Sequence, residues 1–84
     1  MEYRYIPKGV CSRMMEISLD DGIIQDVKIY GGCSGNLQAV SALVKGMPAQ
    51  EAIRRLRGIR CGMKPTSCPD QLAIALEQTI EKNN

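Results

Sequence analysis

Cys11, Cys33, Cys61 and Cys68 are the residues of this chain best suited to chemistry, because a thiolate attacks disulfides and binds soft metal ions. Pro7 and Gly9 precede the first, Gly31-Gly32-Cys33-Ser34-Gly35-Asn36 surrounds the second, Cys61 lies in the stretch from Gly58 to Thr66, and Thr66-Ser67-Cys68-Pro69-Asp70 holds the fourth. A cysteine that only fills an apolar core has less use for such junctions. Cys33 and Cys68 each stand just ahead of a segment with helical spacing, where unpaired backbone N–H groups and the positive end of the helix dipole favour the thiolate. Gly32 and Gly35 let the main chain come close to a bound cofactor, as a cluster pressed against the backbone requires.

The spacing narrows the chemistry. There is no Cys-x-x-Cys pair, so the pattern is neither a zinc ribbon nor a ferredoxin, and there is no histidine to complete a site. The simplest shell uses all four thiolates, Cys11, Cys33, Cys61 and Cys68, and suits Zn²⁺ in a closed, non-catalytic centre or an iron-sulfur cluster. A different reading is thiol redox, in which two cysteines cycle between dithiol and disulfide; Cys61 and Cys68, nearest in sequence, are then the pair.

The elements that position these thiols follow from hydrophobic period. Tyr3 to Ile6, Arg13 to Leu19 and Ile23 to Tyr30 read as strands, and in the second Met15, Ile17 and Leu19 alternate with Met14, Glu16 and Ser18. Asp20, Asp21 and Gly22 supply a hairpin turn. Beyond Tyr30 the period changes. Leu37, Val40, Ala42, Leu43 and Val44 predict a helix closed by Gly46; Ala49, Ala52, Ile53 and Leu56, with Pro48 in the first turn and Gly58 at the end, predict a second. Leu72, Ala75, Leu76, Thr79 and Ile80 mark one face of a third, with Cys68 at its cap. The expected fold is α+β, a small antiparallel three-stranded sheet followed by three helices packed on one face, in the order β-β-β-α-α-α.

The 84 residues are expected to form one domain, near the size at which a core alone suffices, so a metal or a partner is a reasonable aid. The core has no Trp or Phe to draw on. Eleven basic against nine acidic side chains leave a charge of +2, too even for nucleic-acid or membrane binding by bulk electrostatics. Arg54, Arg55, Arg57, Arg60 and Lys64 read as a solvated face, Tyr3, Tyr5 and Tyr30 as half-buried strand residues, and Asp20, Asp21 and Asp26 as a turn and its flank. The segment from Gly31 to Gly35 lacks the lysine and spacing of a phosphate-binding loop. No apolar run approaches the ~20 residues of a membrane span, and Glu2, Tyr3 and Arg4 after Met1 do not begin a secretory signal, so a cytoplasmic protein is expected. In that reducing compartment structural disulfides are not expected.

Thr66-Ser67-Cys68-Pro69-Asp70 is, letter for letter, the motif after which the TSCPD domain family is named, and the segments from Gly31 to Asn36 and from Gly58 to Gly62 also resemble that family. The resemblance covers essentially the whole chain. Such domains are similar to a C-terminal segment of vitamin B12-dependent ribonucleotide reductases and also occur free-standing. It implies an accessory role beside a reductase, delivering metal or reducing equivalents. A self-sufficient reductase is not implied, because 84 residues cannot supply the barrel that shelters a radical and binds the nucleotide. A more distant resemblance, carried by Cys11, Gly32-Cys33, Ser41 to Gly46, Glu51-Ala52-Ile53, Cys68 and Leu72-Ala73, is to U-type iron-sulfur cluster scaffold proteins. It implies cluster ligands at Cys11, Cys33 and Cys68. The chain departs from those scaffolds with Arg13 in place of an Asp, Ser67 in place of a His, and no Leu-Pro-Pro-Val-Lys stretch. Both resemblances imply a protein partner, a reductase or a cluster-assembly component, and allow a homodimer.

Overall fold

Asp21 and Gly22, with φ of 53° and 77°, are both left-handed, the backbone of a type I′ turn, and they join Asp20 to its cross-strand partner Ile23. The strand that enters this turn is the centre of the sheet. In the computed structural model, which describes residues 2–10, 12–31, 34–60, 62, 63 and 65–83, the elements run β1 (Glu2–Tyr5), β2 (Ser12–Asp20), β3 (Ile23–Gly31), α1 (Ser34–Val44), α2 (Ala49–Leu56) and α3 (Cys68–Asn83). The strands are antiparallel in the order β1-β2-β3. The α+β order expected from the sequence is therefore the one found.

The alternation on β2 buries Met15, Ile17 and Leu19, which join Ile24 and Val27 of β3 and Leu72, Ala75 and Leu76 of α3 in one core. Ala49 and Ala52 close it from α2, and Val44 from α1. Small residues at those helix positions let backbones approach where no large aromatic is available to fill space.

Two register shifts interrupt the hairpin ladder, one between Ser12 and Met14 and one between Ser18 and Leu19. Each has the same effect. An extra residue switches the inward and outward sides of the strand, so Ser12 and Met15, three apart, are both buried, as are Ile24 and Val27. Opposite the first shift, Gly31 has φ of +78°, and a Cβ there would lie 3.0 Å from Arg13 Cγ and 3.3 Å from Arg13 N. Only glycine meets both demands.

The segment after α1 covers part of the outer edge of β3. Ile24 N–H donates to the Met47 carbonyl at 2.9 Å, Gly46 N–H to the Ile24 carbonyl at 2.7 Å, and Pro48 bridges Ile23. Gly46 has φ of +84°, as its expected place after the helix requires.

Three details of the sequence reading change. Leu43 is 74% exposed and Ala42 is also exposed, because the buried stripe of α1 runs through Leu37 and Val44 and these two lie off it. Pro48 precedes α2 instead of lying in its first turn. Cys68 is the first helical residue of α3, and Ser67 is its cap.

Candidate functional site

The five residues from Thr66 to Asp70 form a clamp around the start of α3. Ser67 Oγ accepts the Asp70 N–H at 3.1 Å and donates to the Ile59 carbonyl at 2.6 Å, so one hydroxyl both caps the helix and ties down the preceding loop. The Ser67 carbonyl accepts the Gln71 N–H at 2.8 Å. Asp70 Oδ1 accepts the Gly58 N–H at 2.7 Å and Arg57 Nη1 at 3.3 Å, while Oδ2 accepts the Thr66 hydroxyl at 2.5 Å. Arg57 also holds Glu77 at 3.0 Å.

Asp70 is 4% exposed, and burial alone would push its carboxyl up. The donors from Thr66, Gly58 and Arg57 outweigh that cost and hold it below the ordinary aspartate value. The residue stays charged because its acceptors are filled.

Gln71 extends the clamp to the first strand. Its Nε2 donates to Thr66 Oγ1 at 3.1 Å, and its Oε1 accepts both the Tyr5 hydroxyl at 2.9 Å and the Lys8 N–H at 3.0 Å. Burial raises the Tyr5 phenol above its usual range, with further contributions from Tyr3 and Asp70. A Cβ on Gly9 would touch the Thr66 methyl at 3.4 Å, so the loop after β1 lies against the same motif.

Cys68 is half-buried, and its Sγ lies 3.3 Å from Ser12 Oγ. Ser12 in turn pairs with Gly31 at the end of β3. Of the four expected thiols, Cys68 is therefore seated where the start of β2, the end of β3 and the start of α3 meet. Cys11, Cys33, Cys61 and Gly32 lie outside the described residues, and Gly35 falls in the first turn of α1. Among the described residues, no three His, Cys, Asp or Glu side chains form a metal-holding group.

The remaining candidates are structural. Arg54 and Arg55 pair with Glu51 one helical turn away, in keeping with a solvated face, whereas Arg57 serves the clamp. Tyr3 donates to Gln78 at 2.8 Å and Tyr30 to Glu16 at 2.6 Å. Beside Gly31 an open cleft of about 410 Å³ runs between β3 and α1, lined by Val27, Ile29, Tyr30, Leu37 and Ser41 among others. The contact of Ser12 with Cys68 and the capping and clamping roles of Ser67 and Asp70 are not part of the sequence reading. Ser12 carries no local signal, while the Ser67-x-x-Asp70 spacing is a capping pattern that points to the cap and to Asp70.

No helix among the described residues is long and apolar enough to cross a membrane. No curated protein and no solved structure matches the chain, so the comparisons do not show the resemblance to iron-sulfur scaffolds. The TSCPD domain model, by contrast, matches residues 1–80, which takes in the clamp, Ser12 and Cys68, and the chain belongs to the TSCPD domain family.

Proposed function

We propose that this protein is a cysteine-centred metal-binding module in which Cys11, Cys33, Cys61 and Cys68 hold Zn²⁺ or an iron-sulfur cluster. One observation carries the reading: described neighbours of all four cysteines converge on the start of α3. Ser12, which follows Cys11, touches Cys68; Gly31, two residues before Cys33, pairs with Ser12; and Ile59, two residues before Cys61, is bonded to Ser67. The donor set fits such a group, since four thiols and no histidine suit a soft ion or a cluster. Zinc would close the fold, and a cluster would supply one-electron chemistry. Gly32 and Gly35 give the backbone room to approach either.

The module acts beside a protein partner, a reductase in ribonucleotide metabolism or a cluster-assembly component, in a reducing compartment where its thiols stay free. Metal and sulfide analysis with an optical spectrum, on protein purified with and without air, tests this. The expected result is one ion or cluster per chain or per dimer, lost in Cys→Ser variants at the four positions. No metal in any preparation overturns it.

The Ser67 to Ile59 hydrogen bond favours one second reading, because it draws the stretch leading to Cys61 towards Cys68. In that reading the two thiols reduce a disulfide of a partner reductase. They pass it two electrons and two protons and join as a disulfide themselves. Loss of two free thiols on mild oxidation, reversed by dithiothreitol and absent from Cys61→Ser, is its expected mark.

A further inference from the structure

Ser12 is a hydroxyl in an unusual place. It opens a strand whose next inward residue is Met15, and regular alternation from Met15 would have turned Ser12 to the solvent side. The register shift between Ser12 and Met14 reverses that side, and Gly31 makes the shift possible because no Cβ stands in the way of Arg13. Bulges of this kind re-aim a single side chain, and here the side chain is re-aimed onto a sulfur. Ser12 is 5% exposed, and its hydroxyl lies 3.3 Å from Cys68 Sγ, a contact in which either atom can donate while Cys68 is a thiol and only Ser12 can once the sulfur is deprotonated.

Burying a hydroxyl without a partner for its proton is costly, and a thiol sulfur is a weak acceptor. A thiolate bound to a metal is a strong one. The arrangement is therefore better satisfied when Cys68 carries a metal than when it carries a proton. We propose that Ser12 is a positioning residue of the metal site, donating a hydrogen bond to the Cys68 sulfur and strengthening its hold on the ion. This rests on the metal-binding reading above. The hydrogen bond draws charge from the sulfur, fixes its direction and keeps a competing water away.

The test uses Co²⁺ as the probe, added to the reduced full-length chain without air and competed against a chelator of known affinity. Ser12→Ala is expected to weaken Co²⁺ binding by about 10–100-fold, the usual cost of losing such a partner. Its sulfur-to-cobalt charge-transfer band is expected at longer wavelength, because the sulfur lone pair is no longer lowered by the donor. Ser12→Thr keeps the hydroxyl and is expected to hold both affinity and band near wild type. The band reports the sulfur directly and is not moved by a mere loss of stability. Wild-type affinity and spectrum in Ser12→Ala overturn the inference, and so does an equal defect in both variants, which would make Ser12 a packing residue. A wild-type chain that takes up no cobalt overturns the metal-binding reading itself, an outcome distinct from the other two.

Discussion

A carboxylate can be buried when each lone pair it brings finds a donor, and Asp70 finds them in Gly58, Thr66 and Arg57. Its folded pKa lies below the ordinary value, so its contribution to stability is complete above the unfolded value of about 4 and is lost as pH falls through the folded one. Urea unfolding at a series of pH values is expected to show wild-type stability declining from about pH 4 downward. Asp70→Asn should show a smaller decline there, and at neutral pH it should be less stable by about 2 kcal/mol, having lost charge-assisted bonds. An equal acid slope in both proteins would mean that the carboxylate contributes nothing. Ser67→Ala removes a cap and the link to Ile59 together, and a loss of about 1 kcal/mol or more is expected in the same unfolding measurement. Cysteine, serine and aspartate of the motif thus divide the work. Cys68 presents a sulfur while its neighbours fix the backbone that carries it.

Among the elements, the hairpin was the most legible in sequence. Asp21-Gly22 between two alternating runs allows few other structures, and Gly22 has φ of +77° with open space where a Cβ would stand. Gly22→Ala is therefore expected to cost about 1 kcal/mol from backbone strain alone, read as a lower thermal midpoint with an unchanged circular dichroism spectrum. The helices were legible in existence but less so in facing. On α1 the apolar run continues past the buried stripe, so nothing in residue type tells Leu43, which is exposed, from Val44, which is buried. The two bulges were not legible at all. Arg13 and Gln25 look like ordinary outward strand residues, and their extra places in the ladder come from the partner strand and the packing beneath it. Ser12 was missed for that reason: its inward direction depends on the shift.

For the whole molecule, the core is aliphatic and small, and Leu76 at its centre is fully buried. Leu76→Ala is expected to cost about 2–5 kcal/mol. That is a large share of the roughly 5–15 kcal/mol available to a domain, so guanidinium titration should place the variant's midpoint well below that of wild type. Leu43→Ser, on the exposed side of α1, should stay within about 0.5 kcal/mol of wild type in the same titration. The fold was readable because period and turn chemistry agree along the chain. The meeting of Ser12 with Cys68 was not, because 56 residues separate them and no local pattern encodes that contact. Gln71 shows the same thing on a larger scale. It joins Tyr5 and Lys8 to α3 across 66 and 63 residues, and Tyr3 reaches Gln78 across 75. On the ribosome, β1 and the hairpin emerge seconds before α3, at about 5–20 residues per second. A nascent chain stopped short of Gln71 lacks the acceptor that Tyr5 and Lys8 share, so β1 is not yet tied to α3. Ser12 therefore meets Cys68 only after the start of α3 has left the ribosome, and until then its hydroxyl has water in place of that sulfur.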